Sequence, residues 1–212
     1  MSLTEAEVET LGPYIVGLFR GEKLSDENIP VSLKNGQAVV YANFREAGQS
    51  RFEDWRKGSH ALNALEQIIA AGVKRLGKVK KNKIDTIELN FAHSFQTKDL
   101  KEDEKFLSNI YRGIRGVEFI HKKQATRYGP TKVLATNRTL RNLVAVFAKK
   151  KGISINQVYG AAVRTRIFEA DQVLLQLGDS DRAIRMIRGN QIVPIESVRY
   201  ETVKSLSNAH IE

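Results

Sequence analysis

The sequence predicts an α+β fold, a single domain in which helices pack on a mixed or mostly antiparallel sheet. Three observations lead there. Apolar residues at helical spacing, as in Leu62, Leu65, Ile68, Ile69, Val73 and Leu76, coexist with the apolar–polar alternation of Ile84 to Phe91. Turn signals at Asn35-Gly36 and around His121 to Gln124 join pairs of candidate strands, as antiparallel hairpins require. Strands and helices also follow one another irregularly, without the repeating crossover unit of a parallel sheet.

Thr4 and Glu7 have the spacing of a capping box, which starts a helix by satisfying its orphan donors. That helix bears Val8, Leu11, Ile15, Leu18 and Phe19, and Gly12-Pro13 is expected to kink or split it because proline lacks the amide donor. Residues 21–37 read as loop, with Ile29 to Leu33 as a short edge strand that turns at Asn35-Gly36 and pairs with Ala38 to Phe44. The charged stretch 45–58 reads as a loop whose Phe52 and Trp55 anchor it on the core, with a binding surface as the alternative. Ser59 is the expected cap of the helix that follows, and Gly77 its stop. The basic run from Lys74 to Lys83 suits a solvated helix end, where cations favour the dipole.

After the strand at 84–91, residues 97–105 read as a loop leading into a short helix through Phe106, Leu107 and Ile110. Ile114 to Ile120 forms a strand. Ala125 to Leu134 forms another, interrupted at Gly129-Pro130, where proline argues for an edge or a bulge. Thr136 or Asn137 caps a helix through Leu140, Leu143, Val144 and Phe147, closed by Lys149-Lys150-Lys151 and Gly152. The tail reads as a short helix or turn at 153–162, a long strand at 164–177, a turn at 178–181, a strand at 184–187 and a last strand at 191–198. Residues 1–212 are taken as one domain, with 178–212 as a candidate small C-terminal extension.

Composition narrows the chemistry. The 212 residues, 42% of them hydrophobic, can bury one sizeable core. The chain contains no run of 18 apolar residues and no basic-then-apolar leader, so the expectation is a cytoplasmic protein without a membrane partner. Without cysteine there is no disulfide, no thiol nucleophile and no cysteine-ligated metal. A net charge of +10 favours nucleic acid, phosphorylated metabolites or an acidic protein surface, with solubility alone as the plainer explanation.

That charge is concentrated between Tyr111 and Arg138, where seven residues are Lys or Arg and only Glu118 is acidic. Three readings of this stretch stay open. Arg112, Arg115, Arg127, Lys132 and Arg138 could bracket an anionic small molecule, aided by helix N-terminal amides near Asn137, with Tyr128 or His121 transferring protons. The same cations could contact nucleic-acid phosphates while Tyr111, Phe119 or Tyr128 offer stacking faces. In the third reading the stretch is architectural: Gly113, Gly116 and Gly129 permit unusual backbone angles or close strand approach, and the arginines pair with the acidic strand at 85–88.

No phosphate-binding GxxxxGK[ST] loop, dinucleotide GxGxxG, HExxH or GxSxG is present. His60, His93, His121 and His210 have no metal-ligand spacing, and no cofactor is expected. His93-Ser94 beside an acidic strand is the remaining catalytic fragment. An enzyme acting on a phosphorylated or carboxylated small molecule is the rival to an accessory binding protein.

In the order of its elements, from an N-terminal helix through a hairpin near Val31 to Phe44, a long helix at 59–76, a strand at 84–91 and a hairpin at 115–130 to the strand Arg166-Ile167-Phe168-Glu169-Ala170, the chain resembles an AMMECR-type domain. The resemblance covers residues 4–177 and implies an α+β fold. The family's Arg-Gly-Cys-Ile-Gly segment is absent; this chain reads Val39-Val40-Tyr41-Ala42-Asn43-Phe44 there, so no site residue carries over.

Overall fold

Strand β6 (Val163–Gln176) is the axis of the molecule. The computed structural model describes residues 3–22, 24, 25, 27, 29–101, 113–177 and the backbone of 184–188, without the side chains of Lys78 and Val79. One side of β6 pairs with β3 (Thr86–Lys98). Its other side is shared end to end: β4 (Arg115–His121) runs opposite Val163 to Glu169, and β7 (Ile184–Arg188) opposite Gln172 to Leu175. β1 (Ala38–Glu46) and β2 (Gln49–Gly58) continue the sheet beyond β3, and β5 (Gln124–Tyr128) lies beyond β4. The order is β2-β1-β3-β6-β4-β5 with β7 on β6, and every pair is antiparallel. The chain therefore has the α+β architecture its patterning predicts.

Helices α1 (Glu5–Arg20), α2 (Val31–Lys34) and α3 (Ala61–Lys81) cover Val40, Ala42, Phe44, Ile87, Leu89, Phe91, Val173 and Leu175 as one core. A second core joins α5 (Leu140–Lys151) and α6 (Ile155–Tyr159) to Val117, Phe119, Val163 and Ile167. Side chains alternate along a strand, so Val163, Ile167, Val173 and Leu175 leave β6 on one face and tie both cores to it. Between β5 and α5 the short α4 (Pro130–Ala135) buries Val133 in the second core, while its Thr131 and Lys132 reach Glu88 of β3 and Glu53 of β2.

Several local expectations change. α1 begins at the Thr4–Glu7 capping box but runs through Pro13 unbroken; Glu9 and Pro13 are both exposed, so the turn where proline removes a hydrogen bond is open to solvent. Residues 31–34 form α2, a single helical turn burying Leu33, and no strand, because β1 is already paired on both sides. The stretch at 49–58 is strand β2, reached through Ala47 and Gly48, both at positive φ as a two-residue hairpin turn demands. Its charges, read as loop character, suit an edge strand and pair with neighbours, as in Arg51–Glu46 at 2.8 Å.

His60, not Ser59, caps α3, and Gly77 interrupts its helical angles before one further turn to Lys81. Pro130 opens α4 at its first turn, where the missing amide is harmless, and does not bulge a strand. The cap of α5 is Thr139, whose hydroxyl accepts from the Asn142 amide, in place of Thr136 or Asn137. The expected helix at 106–110, turn at 178–181 and strand at 191–198 lie outside the described residues.

Candidate functional site

The two sheet edges meet across the face of the sheet opposite the cores. Gly129, just after β5, lies so near Trp55 of β2 that an added Cβ would stand 3.2 Å from the indole. From α4, Lys132 Nζ lies 2.9 Å from both Glu53 oxygens. Between these contacts is a cavity of about 200 Å³ lined by Tyr41, Glu53, Trp55, Arg127, Tyr128 and Lys132, with Lys150 of α5 also contributing.

Its charges are largely committed. Tyr41 donates to Glu53 Oε2 at 2.9 Å, completing a Lys132–Glu53–Tyr41 chain. Burial by itself would raise the Glu53 carboxyl, but hydrogen bonds from Lys132 and Tyr41 outweigh it and hold the group below the ordinary carboxylate range. Burial, reinforced by the charges of Glu53 and Glu88, pushes the Tyr41 hydroxyl far above its usual value, so Tyr41 is a donor at neutral pH. Burial raises Tyr128 as well, against a smaller opposing pull from Arg138, so its hydroxyl stays protonated at neutral pH.

A second ion cluster follows from strand register. Glu118 on β4 is directly opposite Arg127 on β5 and Arg166 on β6, so the three side chains share a face. Glu118 is completely buried; Arg127 Nε lies 2.7 Å from Oε1, and Arg166 Nε donates to Oε2 at 2.6 Å. The Arg166 guanidinium also covers the Phe95 ring at 4.6 Å. On β3, buried Glu88 accepts from Arg45 at 2.6 Å, from Asn90 Nδ2 at 3.2 Å and from Thr131. The arginine that neutralises the acidic strand is thus Arg45, whereas those of the basic stretch use Glu118 or lie elsewhere.

Of the residues singled out in the sequence, Arg127, Tyr128 and Lys132 converge on the cavity, and Arg138 stands beside Tyr128. Arg115 diverges to Glu169 at 3.6 Å, His121 sits at the β4–β5 turn, and His93 borders a separate cavity. Arg112 and Tyr111 lie outside the described residues. Phe119 is buried and stacked on Phe147 at 4.8 Å, so it offers no base a stacking face. Gly116 is needed for close approach: an added Cβ would stand 2.3 Å from the Phe168 ring and 2.7 Å from the Tyr128 carbonyl oxygen.

A broader signal lies in the distribution of acids. From Phe119 to Phe168 the chain has eleven Lys or Arg residues and no Asp or Glu, although 24 acids in 212 residues would place about six there. This run spans β5, α4, α5, α6 and the start of β6, which is nearly the whole second core. Arg127, Arg166 and Lys132 are paired with acids contributed from outside it. Lys122, Lys123, Lys149, Lys150 and Arg164 are exposed, and the bond from Lys151 Nζ to Gln124 Oε1 at 3.2 Å brings the end of α5 against the β4–β5 turn.

No family model matches this chain, and neither does any curated protein. Among solved structures it is similar to the crystal structure of the uncharacterized protein PH0010 from Pyrococcus horikoshii, with a TM-score of 0.62 and 11% sequence identity over 87% of this chain and 99% of that one. Similarity at that identity extends to the fold alone.

Proposed function

We propose that this protein is an accessory binding protein that holds a nucleic-acid backbone against the basic lobe formed by residues 119–168. The observation that carries the reading is the division of cations. Arg127 and Lys132, inside the cavity, are already neutralised by Glu118 and Glu53, while Lys122, Lys123, Lys149, Arg164 and Lys150, the last of which also lines the cavity, are exposed on a lobe with no carboxylate of its own. Cations spread over a surface suit an extended polyanion; a small anion would need them focused in the pocket. With Phe119 buried, recognition rests on phosphate contacts and is indifferent to base sequence.

An AMMECR-type assignment and a cytoplasmic location belong to the same proposal. The first is supported by the order of α1, α3, β3, the β4–β5 hairpin and β6, although no hairpin forms at 31–44. The second is supported by the described residues containing no helix long and apolar enough to cross a membrane.

Titration with a short oligonucleotide tests the proposal. About five phosphate contacts should weaken affinity by roughly 10²- to 10³-fold between 50 and 200 mM salt. Lys122→Glu combined with Lys149→Glu should abolish binding, and Lys132→Met, in the cavity, should leave it unchanged. Absence of binding at the lower salt, or an affinity indifferent to salt, overturns the reading.

A further inference from the structure

A second cavity, of about 330 Å³, opens where β1 begins and β2 ends. Lys57 and Arg166 are among its walls and no carboxylate is. Beside it the β3–β6 ladder slips between His93 and Gln96, leaving Ser94 and Phe95 together opposite Phe168. Ser94 is exposed on this bulge at a φ of 54°, a left-handed conformation uncommon outside glycine.

Three side chains line up there. Ser94 Oγ lies 2.9 Å from His93 Nδ1, and His93 Nε2 lies 3.3 Å from Asp171 Oδ1. Asp171 is completely buried, and its other oxygen accepts the Leu3 amide at 2.7 Å, which fixes the carboxylate in place. A carboxylate facing Nε2 keeps the ring proton on that nitrogen and turns the Nδ1 lone pair toward the serine hydroxyl. His93 and Ser94 are neighbours in the chain, but Asp171 comes from 78 residues away.

We infer that Ser94 is a nucleophile activated by His93 and oriented through Asp171, in a cavity that takes a small carboxylic ester bearing a negative charge, which Lys57 attracts. Ser94 Oγ bonds to the acyl carbon as its proton passes to His93 Nδ1, and the alcohol departs with that proton. Water, deprotonated by the same nitrogen, then releases the acid and restores the serine. Lys57 is exposed and has no carboxylate partner among the described residues, so its charge is available to the substrate. This site is distinct from the basic lobe, and either can fail without the other.

The test treats the full chain with a fluorophosphonate carrying a carboxylate tail. The Ser94 Oγ–P bond forms as the P–F bond breaks, fluoride leaves and the serine proton goes to His93. Peptide mass mapping should find one adduct, on Ser94, and none in Ser94→Ala or Ser94→Gly, both of which keep the surface bulge. His93→Ala should lose labelling and regain it with added imidazole. Asp171→Asn should slow the bond-forming step at least tenfold without weakening probe binding, a split that a purely structural role would not produce. Lys57→Met should erase the advantage of the carboxylate probe over its methyl ester. An unlabelled wild type, an adduct persisting in Ser94→Ala, or labelling of His93→Ala at the wild-type rate without imidazole overturns the inference. Should Asp171→Asn fail to fold, the imidazole rescue still decides.

Discussion

Glu118 shows how one residue can reverse the meaning of its neighbours. Fully buried, it holds Arg127 and Arg166 from the strands on either side, so Arg127, which looks available in the sequence, is structural. Removing it would leave two guanidinium groups facing each other without compensation. Glu118→Ala should therefore destabilise the protein by about 3–5 kcal/mol in urea unfolding. Arg115→Ala, breaking a partly exposed pair with Glu169, should lose under about 1 kcal/mol. Equal losses would show that the buried cluster is no more than a surface-type ion pair. No spacing rule reveals these partners, because Glu118 meets Arg127 and Arg166 only through the registers β4–β5 and β4–β6.

The β4–β5 hairpin makes the matching point for an element. Its position was readable from the apolar run ending at Ile120, the cationic turn and the strand after it. Its turn residues are unusual: Lys122 and Lys123 occupy φ of 47° and 64°, a geometry for which Asn-Gly is far better suited. The strain is tolerated where both charges point to solvent on the proposed binding lobe. Replacing the pair by Lys122→Asn and Lys123→Gly should stabilise the fold by about 1–2 kcal/mol, since left-handed angles are costly for residues with a Cβ. The same change should weaken oligonucleotide binding. A variant that gains stability and keeps full affinity would remove these lysines from the interface. β2 and α2 depart from the pattern of the sequence for related reasons: edge-strand charges resemble a loop, and a four-residue helix has no period to detect.

Over the whole molecule, the two cores share a single strand. Val173 and Leu175 belong to one, Val163 and Ile167 to the other, and all four leave β6 on the same face. Trp55 rests against Phe168 of that strand at 5.6 Å, so its fluorescence reports on the junction. Phe147→Ala, which empties the second core, should lower stability by about 3–5 kcal/mol. Its Trp55 fluorescence and far-ultraviolet circular dichroism should still change in one coincident transition. Separate transitions would mean that the lobes fold independently and that β6 does not couple them.

What the sequence determined by itself was local: the Thr4–Glu7 cap, the amphipathic stripes of α1, α3 and α5, the long β6, the α+β class and a basic segment centred on 111–138. These depend on neighbours within a few turns of chain, which periodicity and capping chemistry report directly. Only the tertiary structure decided which charges are spent and which remain. It paired Arg127 with Glu118 and Lys132 with Glu53, sent Arg115 elsewhere, and brought Asp171 to His93 and Ser94. Those contacts arise from strand register and from the packing of α4 between the second core and β2, long-range consequences that no short window of sequence contains.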